Sequence, residues 1–264
     1  MIECKQLTKV FGDRTAVRDL TVKLPNGGVY GLLGPRGAGT STLLAMMAGA
    51  LEPTAGEVRI NGFSLLTEPK KAKARIGYLP EDYEPEECLT PLEALSFVAE
   101  VRERSRERGQ RQIRDALELL ALDGAEDRLL RSLTRAQRRR TALAETLIGG
   151  TEILLLDAPV KGLSKKDAAA LLRVIRKLGD THTVFISSHI PAELEGVCDR
   201  ILLLSEGTLL EYAPAEELMQ DARLPTLFPA GAKDDGSVRD TSAVDEPVFD
   251  GEYELIDTHT KGDA

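Results

Sequence analysis

The stretch GPRGAGTST at residues 34–42 decides the fold of this chain. A glycine, four residues and then Gly-Lys-Ser/Thr is the pattern of a phosphate-binding loop, in which backbone N–H groups turn toward the β- and γ-phosphates. The lysine of that pattern adds a positive charge, and the hydroxyl after it binds Mg²⁺. Here Ser41 and Thr42 supply hydroxyls, but Thr40 stands at the lysine position. The stretch alone predicts either a phosphate-binding loop or an ordinary glycine-rich turn.

The sequences on either side of the loop favour the first interpretation. GVYGLL at residues 28–33 is an apolar run that predicts a strand, and LLAMMA at residues 43–48 predicts a helix. A strand, a glycine-rich turn and the N-terminus of a helix together form a site for anions. We therefore expect the loop to lie between a buried strand and a buried helix.

The composition is that of a globular protein whose acidity is concentrated at one end. The chain has 264 residues, of which 42% are hydrophobic and 29% charged, and no apolar run approaches the ~20 residues of a membrane-spanning helix. The N-terminus has no signal-peptide character, and the scattered Cys4, Cys88 and Cys198 predict reduced thiols in a cytosolic protein. Ten acidic and three basic residues give residues 229–264 a charge of −7, out of −9 for the whole chain. We expect an acidic, flexible tail over residues 223–264 and no nucleic-acid-binding surface.

The order of the predicted elements is that of an α/β protein. Residues 2–7 and 16–24 predict an antiparallel pair of strands ahead of the loop. Residues 89–133 have helical periodicity and predict a helical insertion, with a break at Gly109. EILLLD at residues 152–157 predicts a buried parallel strand with a carboxylate at the end where ligands bind.

Three features of the sequence have more than one interpretation. Phe11 follows the first strand and is either an aromatic on which a nucleotide base stacks or a core aromatic. Arg36 either reaches the phosphates from within the loop or faces solvent. The basic residues Arg135 and 138–140 open a helix, and we interpret them as a solvated face.

Several motifs follow one another in a specific order: the loop, the helical insertion, LTRAQ at residues 133–137, the strand ending in Asp157, and SSH at residues 187–189. This series closely resembles the nucleotide-binding subunit of an ATP-binding cassette (ABC) transporter over residues 2–220. LTKVFG at residues 7–12 and GYLPE at residues 77–81 resemble phrases of the ATPase subunits of bacterial ABC-2-type exporters. The resemblance implies an α/β fold, a P-loop NTPase (ABC ATPase) core with an antiparallel β subdomain and a helical subdomain.

The resemblance also implies domains and residue roles. The core would cover residues 1–88 and 134–222, with the helical subdomain at residues 89–133. The implied catalytic residues are His189, which matches the switch histidine near the γ-phosphate, and Glu81, which stands where a glutamine often contacts Mg²⁺. The implied metal ligands are Ser41, Asp157 and Glu81, of which Asp157 matches the Walker B aspartate. The implied nucleotide-binding residues are Phe11, Gly34, Pro35, Arg36, Gly37, Ala38, Gly39, Thr40, Ser41 and Thr42, and the signature-like residues are Leu133, Thr134, Arg135, Ala136 and Gln137.

The chain departs from the family pattern at its chemical groups. Thr40 replaces the lysine, Ala158 replaces the glutamate that polarises the attacking water, and Ser164 replaces an aspartate. LTRAQ at residues 133–137 replaces the Leu-Ser-Gly-Gly-Gln signature, and side chains obstruct the close approach to phosphate that glycines allow. Losing a water-positioning carboxylate typically costs ~10²–10⁴ in rate, and alanine has no polar atom to substitute for it. We therefore predict weak ATP binding with little or no hydrolysis.

The family resemblance implies ATP and Mg²⁺ as cofactors. It implies two partners, a transmembrane permease subunit and a second nucleotide-binding subunit, and a cytoplasmic location on the inner face of the membrane. Two interpretations stay open within the family: a degenerate subunit kept for assembly or regulation, or an active ATPase in which Arg36 and a partner supply the missing groups. A cytosolic relative without a membrane partner is a third.

Overall fold

A computed structural model of the chain describes residues 1–103 and 105–228. The strands are β1 (Ile2–Phe11), β2 (Arg14–Leu24), β3 (Gly28–Leu33), β4 (Ala55–Ile60), β5 (Phe63–Ser64), β6 (Ile76–Leu79), β7 (Ile153–Leu156), β8 (Thr183–Ser188), β9 (Arg200–Ser205) and β10 (Thr208–Pro214). The helices are α1 (Thr40–Ala48), α2 (Pro69–Lys73), α3 (Pro91–Arg102), α4 (Arg106–Leu119), α5 (Arg135–Leu147), α6 (Lys165–Leu178), α7 (Pro191–Leu194), α8 (Ala215–Leu218) and α9 (Leu224–Leu227), with a 3-10 helix at Leu130–Ser132.

Strands β2, β1, β4 and β5 form an antiparallel sheet in that order. Ile2 pairs with Leu24 on one side and with Ile60 on the other. The predicted early pair of strands is confirmed, and β1 runs further than predicted because Phe11 still pairs with Arg14. Phe11 is therefore the last residue of a strand rather than part of the turn after it.

The central sheet has the strand order β10-β9-β3-β8-β7-β6. Its strands pair in parallel except for β10, which pairs antiparallel with β9. Strands β7 and β8 are buried along their whole length, which explains their nearly continuous apolar sequences. Because parallel strands end at one edge of a sheet, the residues after Leu33, Leu156 and Ser188 come close together there.

The central sheet separates two apolar cores. Phe185 of β8 points into the core that contains Leu43 and Met46 of α1 and the antiparallel sheet. The alternate residue Ile186 points into the other core, with Leu143 of α5. Helix α1 is thus buried on one side of the sheet, which fixes the position of the loop that precedes it.

Helices α3 and α4 lie within the predicted insertion, but α3 ends at Arg102 and α4 begins at Arg106, so the predicted break at Gly109 is wrong. Helix α3 begins with the predicted capping box, in which Thr90 and Glu93 each bond the backbone N–H of the other. Helix α4 runs through Gly109 without interruption. Gly109 is buried, and a Cβ there would lie 3.3 Å from the Cβ of Ala99, so the glycine permits close packing of α4 on α3.

The folded chain extends beyond residue 223, the predicted start of the tail. Leu224 of α9 is buried against the helical side of the sheet. The rest of the predicted tail, residues 229–264, lies outside the described residues. Among the helices that the structure describes, none has both the length and the apolar character needed to cross a bilayer. The predicted domain boundaries after residues 88 and 133 stay predictions.

Candidate nucleotide-binding site

The loop at residues 34–39 joins the end of β3 to the first turn of α1, as predicted. Gly37 and Gly39 have φ angles of 82° and 98°, which side chains rarely adopt. A Cβ on Gly39 would lie 2.2 Å from the carbonyl oxygen of Ala16, and one on Gly34 would lie 2.7 Å from the Cβ of Ala38. Glycine is therefore required for the path of this loop, and its backbone passes over the N-terminus of a buried helix.

The side chain of Thr40 does not replace the missing lysine. Its Cγ2 methyl lies 3.2 Å from the position that a Cβ on Gly34 would take, so it packs against the start of the loop. Arg14, which the sequence interpretation missed, donates a hydrogen bond to the carbonyl oxygen of Gly37 at 3.1 Å. That contact braces the outside of the loop from β2.

The structure brings the predicted loop serine and Walker B aspartate together. Ser41 Oγ donates a hydrogen bond to Asp157 Oδ1 at 3.0 Å, and Ser187 Oγ donates to the same oxygen. Asp157 is 3% exposed. Burial raises the pKa of this carboxyl, while the hydrogen bonds from Ser187 and Ser41 lower it. These contacts join β7, β8 and α1 at the loop.

Ala158 is held in a defined conformation directly after this carboxylate. Its backbone N–H donates to Ser187 Oγ at 2.8 Å, and its φ angle is 40°. A non-glycine residue in the left-handed region is uncommon, and such residues cluster at functional sites. The backbone of Ala158 is fixed directly after the carboxylate, but its methyl side chain can neither accept nor donate a proton.

Arg139 corrects the interpretation of the basic run at residues 138–140 as a solvated face. Its side chain is 7% exposed, and burial lowers its pKa. The guanidinium donates hydrogen bonds of 3.0–3.4 Å to five carbonyl oxygens. The acceptors lie in two segments, Asp157, Ala158 and Pro159 after β7, and Pro80 and Tyr83 after β6. Arg139 therefore ties the segment that carries Ala158 to the segment that carries Glu81.

Charged side chains gather on the solvent side of these two segments. Glu81 forms an ion pair with Lys161, whose ammonium lies 3.8 Å from Asp82. Burial and the charge of Arg36 lower the pKa of the half-buried His189, and the charges of Glu193 and Glu81 raise it. No sequence motif predicted a role for Lys161. The one signal for it in the sequence is its position four residues after Asp157.

The predicted Mg²⁺ ligands are hydrogen-bonded to one another or paired with Lys161 in this structure. Mg²⁺ prefers oxygen ligands, and Ser41, Asp157 and Glu81 offer such atoms. However, Glu81 already pairs with the ammonium of Lys161, and the Ser41 hydroxyl donates to Asp157. Within residues 1–103 and 105–228, no three side chains of His, Cys, Asp and Glu come together in a group able to hold a metal.

The remaining predicted site residues lie at two other places. Phe11 is 40% exposed at the end of β1, with the ammonium of Lys9 5.0 Å from its ring centroid, so it is not a core aromatic. Among the signature-like residues, Leu133 is buried and Thr134 and Gln137 form the capping box of α5. The guanidinium of Arg135 covers Gly162, since its Cζ lies 2.5 Å from where a Cβ would be.

Several known proteins are similar to this chain in sequence. The sequence profile of the family described as "ABC transporter" matches residues 17–161. The chain is 34% identical over 222 residues to the sulfate/thiosulfate import ATP-binding protein CysA of Synechocystis sp. (strain ATCC 27184 / PCC 6803 / Kazusa), covering 83% of this chain and 62% of that protein. It is 31% identical over 225 residues to the bacitracin transport ATP-binding protein BcrA of Bacillus licheniformis, covering 84% of this chain and 72% of that protein.

A solved structure has the same fold. The dimeric structure of the ATP-binding cassette MJ0796 bound to ADP and Pi matches with a TM-score of 0.73 and 24% sequence identity. The match covers 81% of this chain and 99% of that chain. The predicted α/β P-loop cassette fold is confirmed. The chain spans less than two thirds of the length of CysA, at 62%.

Proposed function

The chain belongs to the ABC transporter family, and we propose that it is a nucleotide-binding subunit that holds ATP with little or no hydrolysis. The observation that carries the proposal is Ala158. Its backbone is fixed by Ser187 and Arg139 beside the buried Asp157, so the position is ordered although its side chain has no polar atom. Phosphoryl transfer depends on positioning and charge stabilisation, and an ordered methyl group supplies neither to an attacking water.

Weak binding follows from the composition of the loop. The backbone N–H groups after the glycines and the N-terminus of α1 favour an anion. Thr40 brings no charge, and hydrogen bonds to charged groups are roughly twice as strong as neutral ones. We therefore propose that ATP affinity rests on the loop backbone, on Ser41 and on stacking over the exposed ring of Phe11.

We also propose that the chain works with a transmembrane permease subunit and a second nucleotide-binding subunit on the cytoplasmic face of the membrane. The likeness to a transport ATP-binding protein and to a dimeric cassette supports these partners. A further support is an apolar face on α3, where Phe97 and Val101 are 66% and 70% exposed. Apolar side chains one helical turn apart are suited to a partner helix lying in a groove.

An active ATPase is the second candidate, and one observation favours it. Burial lowers the pKa of His189 and the charge of Arg36 lowers it further, which supports a position of the guanidinium near this predicted switch histidine. Arg36 could then contribute the positive charge that Thr40 lacks. It cannot supply the carboxylate missing at Ala158, so the non-hydrolysing interpretation is better supported.

Binding and recovery of the nucleotide test the proposal. The purified full-length chain is titrated with ATP and Mg²⁺ at equilibrium at 25 °C, and the nucleotide in the mixture is then identified by chromatography after a long incubation. We expect saturable binding and ATP that remains intact. Stoichiometric conversion to ADP would favour the active ATPase, and an absence of saturable binding at any ATP concentration would exclude a nucleotide-binding role.

A further inference from the structure

We propose that Lys161 is a nucleotide-binding residue whose ammonium group supplies, from within the protein, the positive charge that a divalent cation would otherwise bring to the triphosphate. The inference rests on the proposed nucleotide site and specifies which side chain of that site neutralises part of the negative charge of the triphosphate. It follows from the disagreement between the expected Mg²⁺ ligands and the side chains observed around them.

Lys161 lies on the turn that begins at the end of β7. Its backbone N–H donates to the carbonyl oxygen of Ala158 at 3.0 Å, so the turn starts beside Asp157. The side chain extends to Glu81, with Asp82 at 3.8 Å. The side chain of Lys161 is 44% exposed, and that exposure leaves room for its ammonium to contact a ligand as well.

The position of the ion pair is set by buried structure. Arg139 donates to carbonyl oxygens of Ala158 and Pro159, on the turn that carries Lys161. The same guanidinium donates to carbonyl oxygens of Pro80 and Tyr83, on either side of Glu81. Because one buried side chain holds both backbones, the two charged side chains start from fixed positions.

Contacts of the backbone and of Asp157 connect this ion pair to the loop, since Lys161 lies on the turn after Asp157 and Asp157 accepts a hydrogen bond from Ser41. The charge of Glu81 acts on both Asp157 and His189, and Asp157 is bonded to Ser41 of the loop. The pKa of His189 is lowered first by burial, then by the charge of Arg36, and also by that of Lys161. The ammonium therefore extends from a turn that is joined, through Asp157, to Ser41 at the end of the loop.

Lys161 and a divalent cation compete for the same carboxylate. A cation contacting Glu81 must displace the ammonium, whereas an ammonium left in place has two further N–H donors for phosphate oxygens. A charge-assisted hydrogen bond of this kind corresponds to about a tenfold change in affinity or more. Nucleotide binding should thus be insensitive to Mg²⁺ and sensitive to Lys161.

The experiment is calorimetric titration of the purified full-length chain with ATP, in excess Mg²⁺ and in EDTA. We expect the wild-type affinities in the two conditions to agree within about threefold. In EDTA, Lys161→Gln should weaken ATP binding about tenfold, and Lys161→Arg should retain most of the affinity because it keeps the charge. The matched control is Lys166→Gln, at an exposed lysine of α6, which should bind as the wild type does.

A second variant removes the carboxylate partner of the ion pair instead of the lysine. Glu81→Gln releases the ammonium, so ATP binding in EDTA should be at least as tight as in the wild type. Circular dichroism and urea unfolding of each variant confirm that the fold is kept. A variant that does not fold is replaced by Lys161→Met, which keeps the length of the side chain without its charge.

Several results would overturn the proposal. These are a loss of wild-type ATP affinity of tenfold or more in EDTA, an unchanged affinity in folded Lys161→Gln, and an absence of ATP binding in both conditions. Hydrolysis of ATP by the wild type would refute the proposed non-hydrolysing role. The role of Lys161 would still be tested by the ATP affinities of the wild type and Lys161→Gln in EDTA. Dependence on Mg²⁺ without hydrolysis would refute the role of Lys161 alone.

Discussion

Arg139 is the side chain on which the geometry of the site most depends. Buried arginines are uncommon, and they occur where the guanidinium is fully bonded. Here the acceptors are backbone carbonyls of two separate segments, so the side chain acts as a cross-link between them. A sequence-based interpretation places a run of three arginines at the surface because that is where such runs usually lie.

Replacing Arg139 should therefore destabilise the fold. We expect Arg139→Ala to lower the free energy of unfolding by about 2–3 kcal/mol, since the carbonyl groups it bonds lose their buried donor. Urea unfolding followed by circular dichroism measures the change. The control is Arg173→Ala on the exposed face of α6, which should stay within about 0.5 kcal/mol of the wild type. Equal effects of the two substitutions would contradict the role of Arg139 as a cross-link.

The missing loop charge leads to a second prediction at the scale of a residue. Thr40→Lys should tighten ATP binding by tenfold or more, because it restores the positive charge that the phosphate-binding pattern has at this position. Equilibrium titration with ATP measures the gain. Thr40→Gln is the control for side-chain length without charge and should bind as the wild type does. Equal affinities of the lysine and glutamine variants would show that the charge at this position does not limit binding.

At the scale of an element, the loop between β3 and α1 depends on backbone that only glycine can supply. Gly39→Ala should lower the free energy of unfolding by more than about 2 kcal/mol, because the new Cβ meets the carbonyl oxygen of Ala16 at 2.2 Å. Gly12→Ala is the matched control, since Gly12 also has a positive φ but has nothing within 4 Å of the added Cβ. Its cost should be about 1 kcal/mol. Similar values for the two variants, measured by urea unfolding, would argue against the clash.

Helices α3 and α5 and strand β6 line an open pocket of about 240 Å³. It is lined by Tyr78, Tyr83, Val98, Arg102, Ala142, Glu145 and Thr146. The hydroxyl of Tyr83 donates to Glu145 Oε2 at 2.7 Å. Burial raises the pKa of Glu145 from 4.5 to about 6, although the hydrogen bond from Tyr83 lowers it.

This carboxyl should make stability depend on pH. The folded chain binds the proton of Glu145 more tightly than the unfolded chain, so the stabilisation is complete below pH 4.5 and is lost as the pH rises through about 6. Glu145→Gln keeps a neutral acceptor for Tyr83 at every pH. We expect the variant to be about 1–2 kcal/mol more stable than the wild type at pH 7, with the difference vanishing near pH 4.5. A difference that stays constant between these pH values in urea unfolding would refute the assignment.

At the scale of the whole molecule, the fold could be predicted from the sequence because local patterns and global arrangement agree. Apolar runs predicted strands β3, β7 and β8, and the capping box of Thr90 and Glu93 predicted the start of helix α3. Gly109 was misinterpreted because a glycine that permits close helix packing looks the same in a sequence as one that ends a helix.

The chemistry of the site could be predicted only in part. The family resemblance implied Ser41 and Asp157 as ligands of one metal ion, and the structure joins them by a hydrogen bond. The contacts of Arg14, Arg139 and Lys161 join residues far apart in the chain and belong to no motif. Such contacts depend on how the segments that follow the strands lie relative to one another in the fold. A pattern along the sequence does not predict that arrangement.

Hydrolysis by the intact chain tests the central claim most directly. Phosphate release from ATP and Mg²⁺ is measured under single-turnover conditions, with the purified full-length protein in excess over nucleotide, and compared with Asp157→Asn. We predict that the wild type releases phosphate no faster than this variant, because the methyl side chain of Ala158 cannot position the attacking water. Turnover at the rate of an ordinary ATPase that is lost in Asp157→Asn would contradict the claim.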